Sequence, residues 1–416
     1  MKGIFVVLDG AADESCGVLN GRTPLEFAKT PNLDGLASMS RSYHCFTVKE
    51  GAAPQSSDAM VSLFGNDPKF FPRGPLEAVG SGIKLVRGDL ALRCNFATIE
   101  DLETRNILDR RAGRTLTTKE AKILARVVNE KVKLPFKFEF RATNQHRGVL
   151  VFKGGFSDNI SSVDPHYNDF GAGRGSDKFS FSQSLDDEED SKLSAELLNN
   201  FVKKSHEVLD KHPLNLLRAK KGLFSANFIL CRGAGNQPPV FKKLKGKWMG
   251  LGYMPLEIGL ARAAKMDIYR FNYPKMKGMD VYANLYAGLK KAIKYAIKMM
   301  WKNRDKYDYF YVHFKETDIP GHDNKPMDKV KMIEMIDYRF FSFLKEFAVK
   351  NNAKLLITSD HTTSCRMKAH AANPVPVLFY NPADNFRGNR RFTEEDGLKG
   401  KKVSGRKLLE RTLFLK

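Results

Sequence analysis

The sequence predicts an α/β protein whose core is a doubly wound parallel sheet, interrupted by an inserted α+β domain. Two observations support this prediction. Short apolar runs alternate with longer segments of helical periodicity, which is typical of parallel sheets covered by helices. The middle of the chain breaks that alternation, and the 416 residues are enough for two or three domains.

The composition is that of a globular protein, because hydrophobic residues make up 42% of the chain. No uninterrupted apolar run reaches the ~20 residues that a membrane span needs. The apolar run after Lys2 is too short for a signal peptide and ends at Asp9, so we expect a strand and a cytoplasmic protein. The five cysteines are scattered without a CxxC pair, which favours reduced thiols.

The net charge of +22 favours an anionic partner. Nucleic acid, an acidic surface and a small anionic substrate all satisfy that charge, and so does a merely lysine-rich surface. The lysines are spread along the chain, and no nucleic-acid-binding motif accompanies them. We therefore expect a small anionic substrate, no specific nucleic acid and no membrane partner.

The core is predicted to comprise residues 1–84 and 246–416. Its strands are expected at apolar runs bounded by turn residues, namely 4–8, 309–314, 354–358 and 375–380. Its long helices are expected where apolar residues recur at helical spacing, namely 282–300 and 327–351.

Residues 85–245 are predicted to form the inserted, substrate-binding domain. Strands are expected at 90–97, 146–152 and 227–235, and helices at 117–131 and before His212. A long polar stretch lies between them, and we expect its loop at 168–185 to be mobile.

Residues whose side chains commonly bind metals come directly after the predicted core strands or in the loops that follow them. They are three aspartates and three histidines: Asp9, Asp318, Asp360, His322, His361 and His370. In open α/β sheets ligands bind beyond the carboxyl ends of the strands, so we expect these side chains to lie at one edge. Each alone is more often a cap or surface residue. Together, their oxygen and nitrogen donors suit two divalent ions, Mn or Zn better than Mg or Ca.

A turn of small residues from Gly51 to Asp58 precedes a short apolar helix. A helix N-terminus offers free N–H groups and the positive end of the dipole, which suits a phosphoryl oxygen. Taken alone, the pattern also fits an ordinary Ser/Asp cap. Beside a two-metal site, a serine at this helix start indicates phosphoryl transfer.

Ordered motifs span nearly the whole chain: VVLDGAAD, GRTPLEFAKTPNLDGLA, RGPLEAVGSGI, RGDLALRCNFAT, DRRAGR, HRGVLVF, HFKETDIPGHD and TSDHTTSCRMKAHAANPVPVLFY. They resemble those of the archaeal-type cofactor-independent phosphoglycerate mutases of the alkaline phosphatase superfamily. The resemblance implies an alkaline-phosphatase-like doubly wound core with an inserted α+β substrate domain. It also implies interconversion of 3-phosphoglycerate and 2-phosphoglycerate, in glycolysis and gluconeogenesis, through a phosphoserine. Two divalent ions would be needed, Mn first and Mg, Zn or Co as alternatives, and no bisphosphoglycerate.

Position by position, the resemblance implies two metal sites. One ion would be held by Asp318, His322 and His370. The other would be held by Asp9, Asp360, His361 and the serine oxygen.

Two serines compete for the position of the nucleophile. An ungapped alignment of the segment between Pro54 and Gly65 selects Ser56, which we prefer. Alignment on the Ser-Asp dipeptide selects Ser57 and requires a gap inside the helix. The segment departs from the family motif at Gln55, where the family has glycine, and at Met60, where it has a polar residue.

A substrate with a phosphate and a carboxylate calls for several cations, and the planar fork of arginine suits both groups. The resemblance places the substrate-binding residues in the insert: Arg110, Arg111, Arg114, His146, Arg147, Asp164 and Arg232. Of these, His146 and Asp164 would handle the protons of the glycerate hydroxyls. Each arginine alone is more often a surface cation. The segment 270–279 departs from the family pattern and yields no substrate lysine.

Two other functions compete with the mutase. A hydrolase of a phosphomonoester or a phosphonate would use the same metal site with a different insert. A basic nucleic-acid-binding protein on an inactive fold would have no need for six metal-binding side chains.

Overall fold

The computed structural model describes residues 1–165, 177–274 and 280–415. The chain divides into two compact units. The core unit comprises residues 1–69, 241–253 and 261–416, and the insert unit comprises residues 70–240 and 254–260. The insert unit begins before residue 85, its predicted start, because a helix that follows Phe70 packs on the strands of this unit.

The strands share the apolar, turn-bounded character that the sequence showed. In chain order they are β1 (Gly3–Leu8), β2 (Arg41–Phe46), β3 (Leu90–Ile99), β4 (Ile107–Asp109), β5 (Phe138–Ala142), β6 (Arg147–Phe152), β7 (Phe228–Gly235), β8 (Trp248–Leu251), β9 (Asp267–Tyr269), β10 (Tyr309–Phe314), β11 (Lys354–Ser359), β12 (Thr362–Ser364), β13 (Ala369–Ala371), β14 (Val375–Tyr380) and β15 (Lys401–Ser404).

The helices lie between these strands. They are α1 (Pro24–Phe27), α2 (Pro31–Ala37), α3 (Ser56–Leu63), α4 (Arg73–Gly80), α5 (Thr118–Lys131), α6 (Glu189–Asp210), α7 (Pro213–Lys220), α8 (Pro255–Ala263), α9 (Val281–Asn303), α10 (Asp318–His322), α11 (Pro326–Ile336), α12 (Ser342–Lys350), α13 (Glu394–Leu398) and α14 (Leu408–Arg411). Within the described part of the chain, no helix has both the length and the apolar composition that crossing a membrane requires.

The main sheet of the core unit has the strand order β15–β2–β14–β11–β1–β10–β8–β9. The strand β1 pairs in parallel with both β10 and β11, and β8 and β9 continue the parallel direction. All residues of β1 and β10 are buried, which accounts for their continuous apolar character. The predicted α/β class is confirmed.

The prediction of a wholly parallel sheet is wrong on one side. The strand β14 runs antiparallel to both β11 and β2. A parallel neighbour needs a crossover of a dozen or more residues, usually a helix. The connection after β11 instead contains β12 and β13, which pair antiparallel with each other, so the chain returns in the opposite direction.

The insert unit has its own antiparallel sheet, in which β3 pairs with β4, β6 and β7, and β5 pairs with β6. Alternate residues of β3 face opposite sides. Leu92, Cys94 and Phe96 join the hydrophobic core with α5 and α6. By this alternation Arg93 and Asn95 lie on the other face.

The helix predicted over 327–351 is broken into α11 and α12 by a π-turn at Asp337–Phe341. The turn has a structural use. The Asp337 carboxylate accepts hydrogen bonds from the backbone N–H of Leu33 at 2.7 Å and of Asn32 at 3.3 Å. These N–H groups belong to the first turn of α2, so Asp337 caps that helix.

Candidate functional site

Three loops meet at the carboxyl edge of the core sheet. Leu8, the last residue of β1, is in register with Phe314 of β10 and Ser359 of β11. The residues that follow each strand therefore begin at the same level. Gly10 makes this approach possible, since its φ is +54° and a Cβ there would lie 2.7 Å from Asp318 Oδ1.

Asp318, His322 and His370 form a first cluster. Asp318 begins α10, and its i,i+4 spacing places His322 on the same face. His322 Nε2 lies 3.4 Å from Asp318 Oδ2, and His370 Nε2 lies 3.7 Å from Oδ1. Burial would raise the pKa of Asp318, but the two imidazoles bring it well below its ordinary value. The carboxylate is therefore ionised.

Asp9, Asp360, His361 and Ser56 form a second cluster. His361 Nε2 lies 3.2 Å from Asp9 Oδ1 and 3.4 Å from Asp360 Oδ2. The hydroxyl oxygen of Ser56 lies 3.0 Å from the same Nε2. The two clusters adjoin, because the His361 and His370 rings stack with their centroids 3.7 Å apart.

Two imidazoles of the first cluster are oriented by backbone carbonyls. Nδ1 of His322 donates to the carbonyl of Lys368 at 3.1 Å, and Nδ1 of His370 donates to that of Pro54 at 2.6 Å. A proton held on Nδ1 leaves Nε2 with its lone pair. Both rings therefore present the form of Nε2 that binds a metal.

His361 is oriented by a relay through a hydroxyl. Its Nδ1 lies 3.0 Å from Thr363 Oγ1, which in turn donates to Asp318 Oδ1 at 2.7 Å. Because the threonine proton is used toward the carboxylate, Nδ1 is the donor and Nε2 carries the lone pair. Burial lowers the pKa of His361 to about 3, against the opposing effect of Asp360. The imidazole is thus neutral at neutral pH.

Helix α3 sets the position of the candidate nucleophile. Ser56 is its first residue, and the N-cap position belongs to Gln55, whose side chain makes no capping hydrogen bond. The pattern is therefore not the ordinary Ser/Asp cap that the sequence also allowed. Ser57 Oγ instead donates to Asp58 Oδ1 at 3.2 Å. Of the two serines, the fold brings Ser56 beside His361.

In the second cluster, each buried carboxylate has one oxygen atom that accepts no hydrogen bond from a described residue. These atoms are Asp9 Oδ1 and Asp360 Oδ2. Buried ionised carboxylates require compensation by a cation or by hydrogen bonds. Mixed carboxylate and imidazole donors suit Mn or Zn. The residues present therefore fit the divalent ions that the resemblance implies.

Sequence reasoning missed two members of this cluster, His313 and Lys315. Lys315 Nζ contacts Asp9 Oδ2, and burial lowers the pKa of this lysine. His313 Nε2 lies 3.8 Å from Asp9 Oδ2 and 3.9 Å from Asp360 Oδ2. Burial lowers the pKa of His313 to about 4, opposed by Asp360. The available signal was a single polar residue inside the buried run YFYVHF.

A buried ion pair, also missed, holds the loops that carry these residues. Lys329 Nζ of α11 donates to Asp13 Oδ2 at 2.8 Å and to the carbonyls of Ala12 at 3.1 Å and Thr363 at 2.8 Å. Asp13 Oδ1 accepts from the N–H of Cys365 at 3.0 Å. The pair therefore ties the loop after β1 to the segment that follows His361.

The substrate residues predicted from the resemblance lie in the insert unit. Asp164 is buried there, contacts Arg110 directly and has its Oδ2 3.7 Å from Arg232 Nε. These two arginines therefore share one carboxylate.

His146 lies within a second group of arginines. Burial lowers the pKa of His146 well below its ordinary value, and the positive charges of Arg147, Arg111, Arg93 and Arg114 lower it further. The imidazole is consequently neutral. Its Nδ1 makes no hydrogen bond to a described residue, so it has spare capacity to donate or accept one.

Arg93, Arg73 and Glu77 extend this cluster and were not assigned from the sequence. Glu77 Oε1 lies 3.0 Å from Arg93 Nε and 2.6 Å from Arg73 Nε. Burial would raise the pKa of Glu77, but Arg93 and Arg73 bring it below its ordinary value. Arg93 is opposite Arg232 in the register of β3 and β7.

A left-handed turn fixes the arginines that follow β4. Ala112, Gly113 and Arg114 have φ values of 46°, 66° and 56°. Asp109 Oδ1 holds the turn by accepting from the N–H groups of Arg111 at 2.7 Å and Gly113 at 2.8 Å. Non-glycine residues rarely adopt such angles, and backbone strain of this kind concentrates at binding sites.

Two predicted segments lie partly outside the described residues. The loop 168–185 is described only from residue 177, and the segment 270–279 only to residue 274. In the second segment, Tyr273 donates its hydroxyl to Glu316 Oε1 at 2.9 Å.

We expect Glu77 to make the stability of the protein sensitive to acid. Its folded-state pKa lies below the ordinary value of 4.5, so its contribution is present above about pH 4.5 and is lost as pH falls through the folded-state pKa. Urea unfolding of the wild type should therefore show a midpoint that falls below pH 4.5. In Glu77→Gln the midpoint should be lower at pH 7, because Arg93 loses its buried counter-charge, and should depend less on pH in this window. The same dependence of the urea midpoint on pH in the wild type and in Glu77→Gln would contradict the ion pairing of Glu77 with Arg93 and Arg73.

Comparison with known proteins identifies the family to which the chain belongs. The sequence profile of a family described as 2,3-bisphosphoglycerate-independent phosphoglycerate mutase matches residues 37–215. Proteins of that name from Pyrococcus horikoshii and Aeropyrum pernix are 39% and 38% identical to this chain. The alignments cover 96% of this chain and 92% of the first relative, and 100% and 99% for the second.

Solved structures show the same fold. A structure described as the PH0037 protein from Pyrococcus horikoshii has a TM-score of 0.75 and 30% identity over 100% of this chain and 97% of that one. A cofactor-independent phosphoglycerate mutase from Thermoplasma acidophilum has a TM-score of 0.58 and 27% identity over the full length of both chains. The near-complete alignments at 38% and 39% identity to relatives of that name mean that the chain is an enzyme belonging to the 2,3-bisphosphoglycerate-independent phosphoglycerate mutase family.

Proposed function

We propose that this enzyme interconverts 3-phosphoglycerate and 2-phosphoglycerate through a phosphoserine on Ser56, without bisphosphoglycerate. The observation that carries the proposal is the position of Ser56. Its hydroxyl lies 3.0 Å from His361 Nε2, at the N-terminus of α3 and beside two adjoining carboxylate–imidazole clusters.

The clusters divide into two sets of donors for divalent ions. Asp318, His322 and His370 would hold one ion. Asp9, Asp360, His361 and Ser56 would hold the other. When bound, such ions lower the pKa of the nucleophile and neutralise the charge that develops on a transferring phosphoryl group. Mn is the first candidate, because both sets mix oxygen and nitrogen donors.

The protein's own groups account for the transfer. The Oγ of Ser56 forms the new bond to phosphorus as the bond from phosphorus to the 3-oxygen of the glycerate breaks. The N–H groups of α3 place positive charge near this hydroxyl, and the ammonium of Lys315 lies against Asp9 of the same cluster. In this first step the proton of the Ser56 hydroxyl passes to the 3-oxygen. In the return step the 2-hydroxyl of the glycerate loses its proton and its oxygen attacks phosphorus, while the Oγ of Ser56 leaves and takes up a proton.

The insert unit would bind the organic part of the substrate. Its arginines form a dense positive cluster, and their planar forks bind carboxylate and phosphate through paired hydrogen bonds. The members are Arg110, Arg111, Arg114, Arg147 and Arg232. Neutral His146 would exchange a hydrogen bond with a glycerate hydroxyl, while Asp164 fixes Arg110 and Arg232 in place.

The test is a coupled assay with metal removal. Protein dialysed against a chelator is supplied with 3-phosphoglycerate, without bisphosphoglycerate, and 2-phosphoglycerate is detected with enolase. We expect no turnover before Mn²⁺ is added and restored turnover afterwards, because phosphoryl transfer at a two-metal site requires about two bound ions.

Measurement of free phosphate in the same reactions separates the mutase from a hydrolase. We expect 2-phosphoglycerate with little phosphate. Phosphate release without 2-phosphoglycerate would overturn the mutase and favour a phosphomonoesterase on the same site. Turnover that persists in fully chelated protein would overturn the metal requirement.

A further inference from the structure

We propose that His313 is a ligand, through Nε2, of the ion held by Asp9 and Asp360. This inference rests on the two-metal site proposed above and adds a residue that the family resemblance does not supply. It starts from the position of His313 in the middle of the core sheet, where an imidazole has no packing advantage over an apolar side chain.

The surroundings of His313 point its second nitrogen at the carboxylates. The residue is 1% exposed, next to the end of β10. Its Nε2 lies 3.8 Å from Asp9 Oδ2 and 3.9 Å from Asp360 Oδ2. Both distances are too long for hydrogen bonds. They are the spacing expected of two ligand atoms that share one ion, since donors about 2.1 Å from a common centre lie ~3–4 Å apart.

Each of these three residues offers a possible ligand atom, the three lie within 4.8 Å of one another, and each residue has a buried polar atom without a hydrogen bond to a described residue. The buried atoms are His313 Nε2, Asp9 Oδ1 and Asp360 Oδ2. Native structures leave few such atoms, and each requires an explanation. A shared cation explains all three, whereas an apolar or purely structural role for His313 explains none.

The charge balance also favours a cation at this point. Two carboxylates face one ammonium, that of Lys315, which contacts Asp9. A single ammonium leaves one carboxylate uncompensated in a buried position, which is costly. An imidazole donor beside that carboxylate is suited to a divalent ion.

Tyr311 is an outer partner of His313, and its hydroxyl can accept the hydrogen bond from Nδ1 that the proposal needs. Its hydroxyl oxygen lies 2.9 Å from Nδ1 of His313. If Nδ1 carries the proton and donates to this oxygen, Nε2 keeps its lone pair. This is the arrangement by which an outer partner orients a metal-binding histidine. It matches the orientation of His322 and His370 by backbone carbonyls.

Two variants at the same position separate ligation from packing. In His313→Asn the amide takes the place of Nδ1 and retains a partner for Tyr311, but nothing replaces Nε2. In His313→Gln the amide reaches the place of Nε2. Metal-stripped proteins are titrated with Mn²⁺ by calorimetry, and bound metal is counted by elemental analysis after dialysis.

We expect the wild type to bind about two ions. His313→Asn should bind one of them roughly 10–100-fold more weakly, and His313→Gln should recover part of the loss. Tyr311→Phe should weaken the same ion several-fold. Unchanged binding of both ions by His313→Asn would overturn the inference. A wild type that binds no ion would instead overturn the two-metal function itself, so the two failures are distinguishable.

A spectroscopic count covers the case in which the variants fold poorly. Wild-type protein labelled with ¹⁵N in histidine is loaded with Zn²⁺, and side-chain nitrogen resonances are recorded by NMR. The inference requires four imidazoles with metal-bound Nε2: His313, His322, His361 and His370. Three such resonances, with His313 unchanged on loading, would refute it.

Discussion

Ser56→Ala is expected to abolish mutase turnover, by a factor on the order of 10⁴ or more, as removal of a covalent nucleophile does in other enzymes. The hydroxyl is the group that would accept the phosphoryl group, and its neighbour His361 cannot replace it because the imidazole faces the carboxylates. The enolase-coupled assay measures the loss. The protein should remain folded, since the change removes one oxygen atom.

Ser57→Ala is the matched control. Its hydroxyl donates to Asp58 rather than to His361, so turnover should stay within a few-fold of the wild type. Mass spectrometry of the wild type quenched during turnover should locate a phosphate on the peptide with Ser56. A phosphate on Ser57, or a larger loss in Ser57→Ala than in Ser56→Ala, would reverse the assignment.

Lys329→Met is expected to destabilise the folded protein by about 3–5 kcal/mol, the range found when one partner of a buried ion pair is removed. The ammonium is fully buried and satisfies Asp13 Oδ2 and two backbone carbonyls. Its loss removes the cationic partner of the buried Asp13 carboxylate and one donor from each of the two carbonyls. Chemical denaturation, followed by circular dichroism, measures the difference in the free energy of unfolding.

The double variant Lys329→Met with Asp13→Asn identifies the cause. Replacing the carboxylate by a neutral amide removes the uncompensated charge, so part of the lost stability should return. Lys331→Met is a surface control in the same helix, and it should change stability little because the Lys331 side chain is exposed. Equal destabilisation by the single and double variants would show that Lys329 acts by packing alone.

The apolar pattern of the chain was sufficient to locate the central strands. The runs at 4–8, 309–314 and 354–358 correspond to β1, β10 and β11, because strands buried on both faces must be apolar throughout. Four strands of the main sheet, β2, β8, β9 and β15, were not predicted. The strand β2 includes Arg41 and His44, and β15 begins with two lysines, so neither has the composition of a buried strand. Their place in the sheet depends on pairing, of β2 with β14 and of β15 with β2.

The candidate site was predicted only in part, because some of its residues lie where no sequence pattern indicates a site. Ligand-type residues directly after apolar runs were visible as a pattern, since parallel strands bring their carboxyl ends to one edge. His313 lies inside a strand and Lys329 inside a helix. Neither position suggests a site until the fold shows which polar atoms it faces.

By itself, the sequence determined the α/β class, the family and the edge of the sheet at which aspartates and histidines collect, because these follow from local apolar runs and from ordered motifs. Only the tertiary structure decided the antiparallel return of β14, the choice of Ser56 over Ser57 as neighbour of His361, and the tautomers of the imidazoles. Those features depend on hydrogen bonds between residues far apart in the chain, such as His370 with Pro54. No periodicity in the sequence encodes such contacts, and they form only when the sheet brings the loops together.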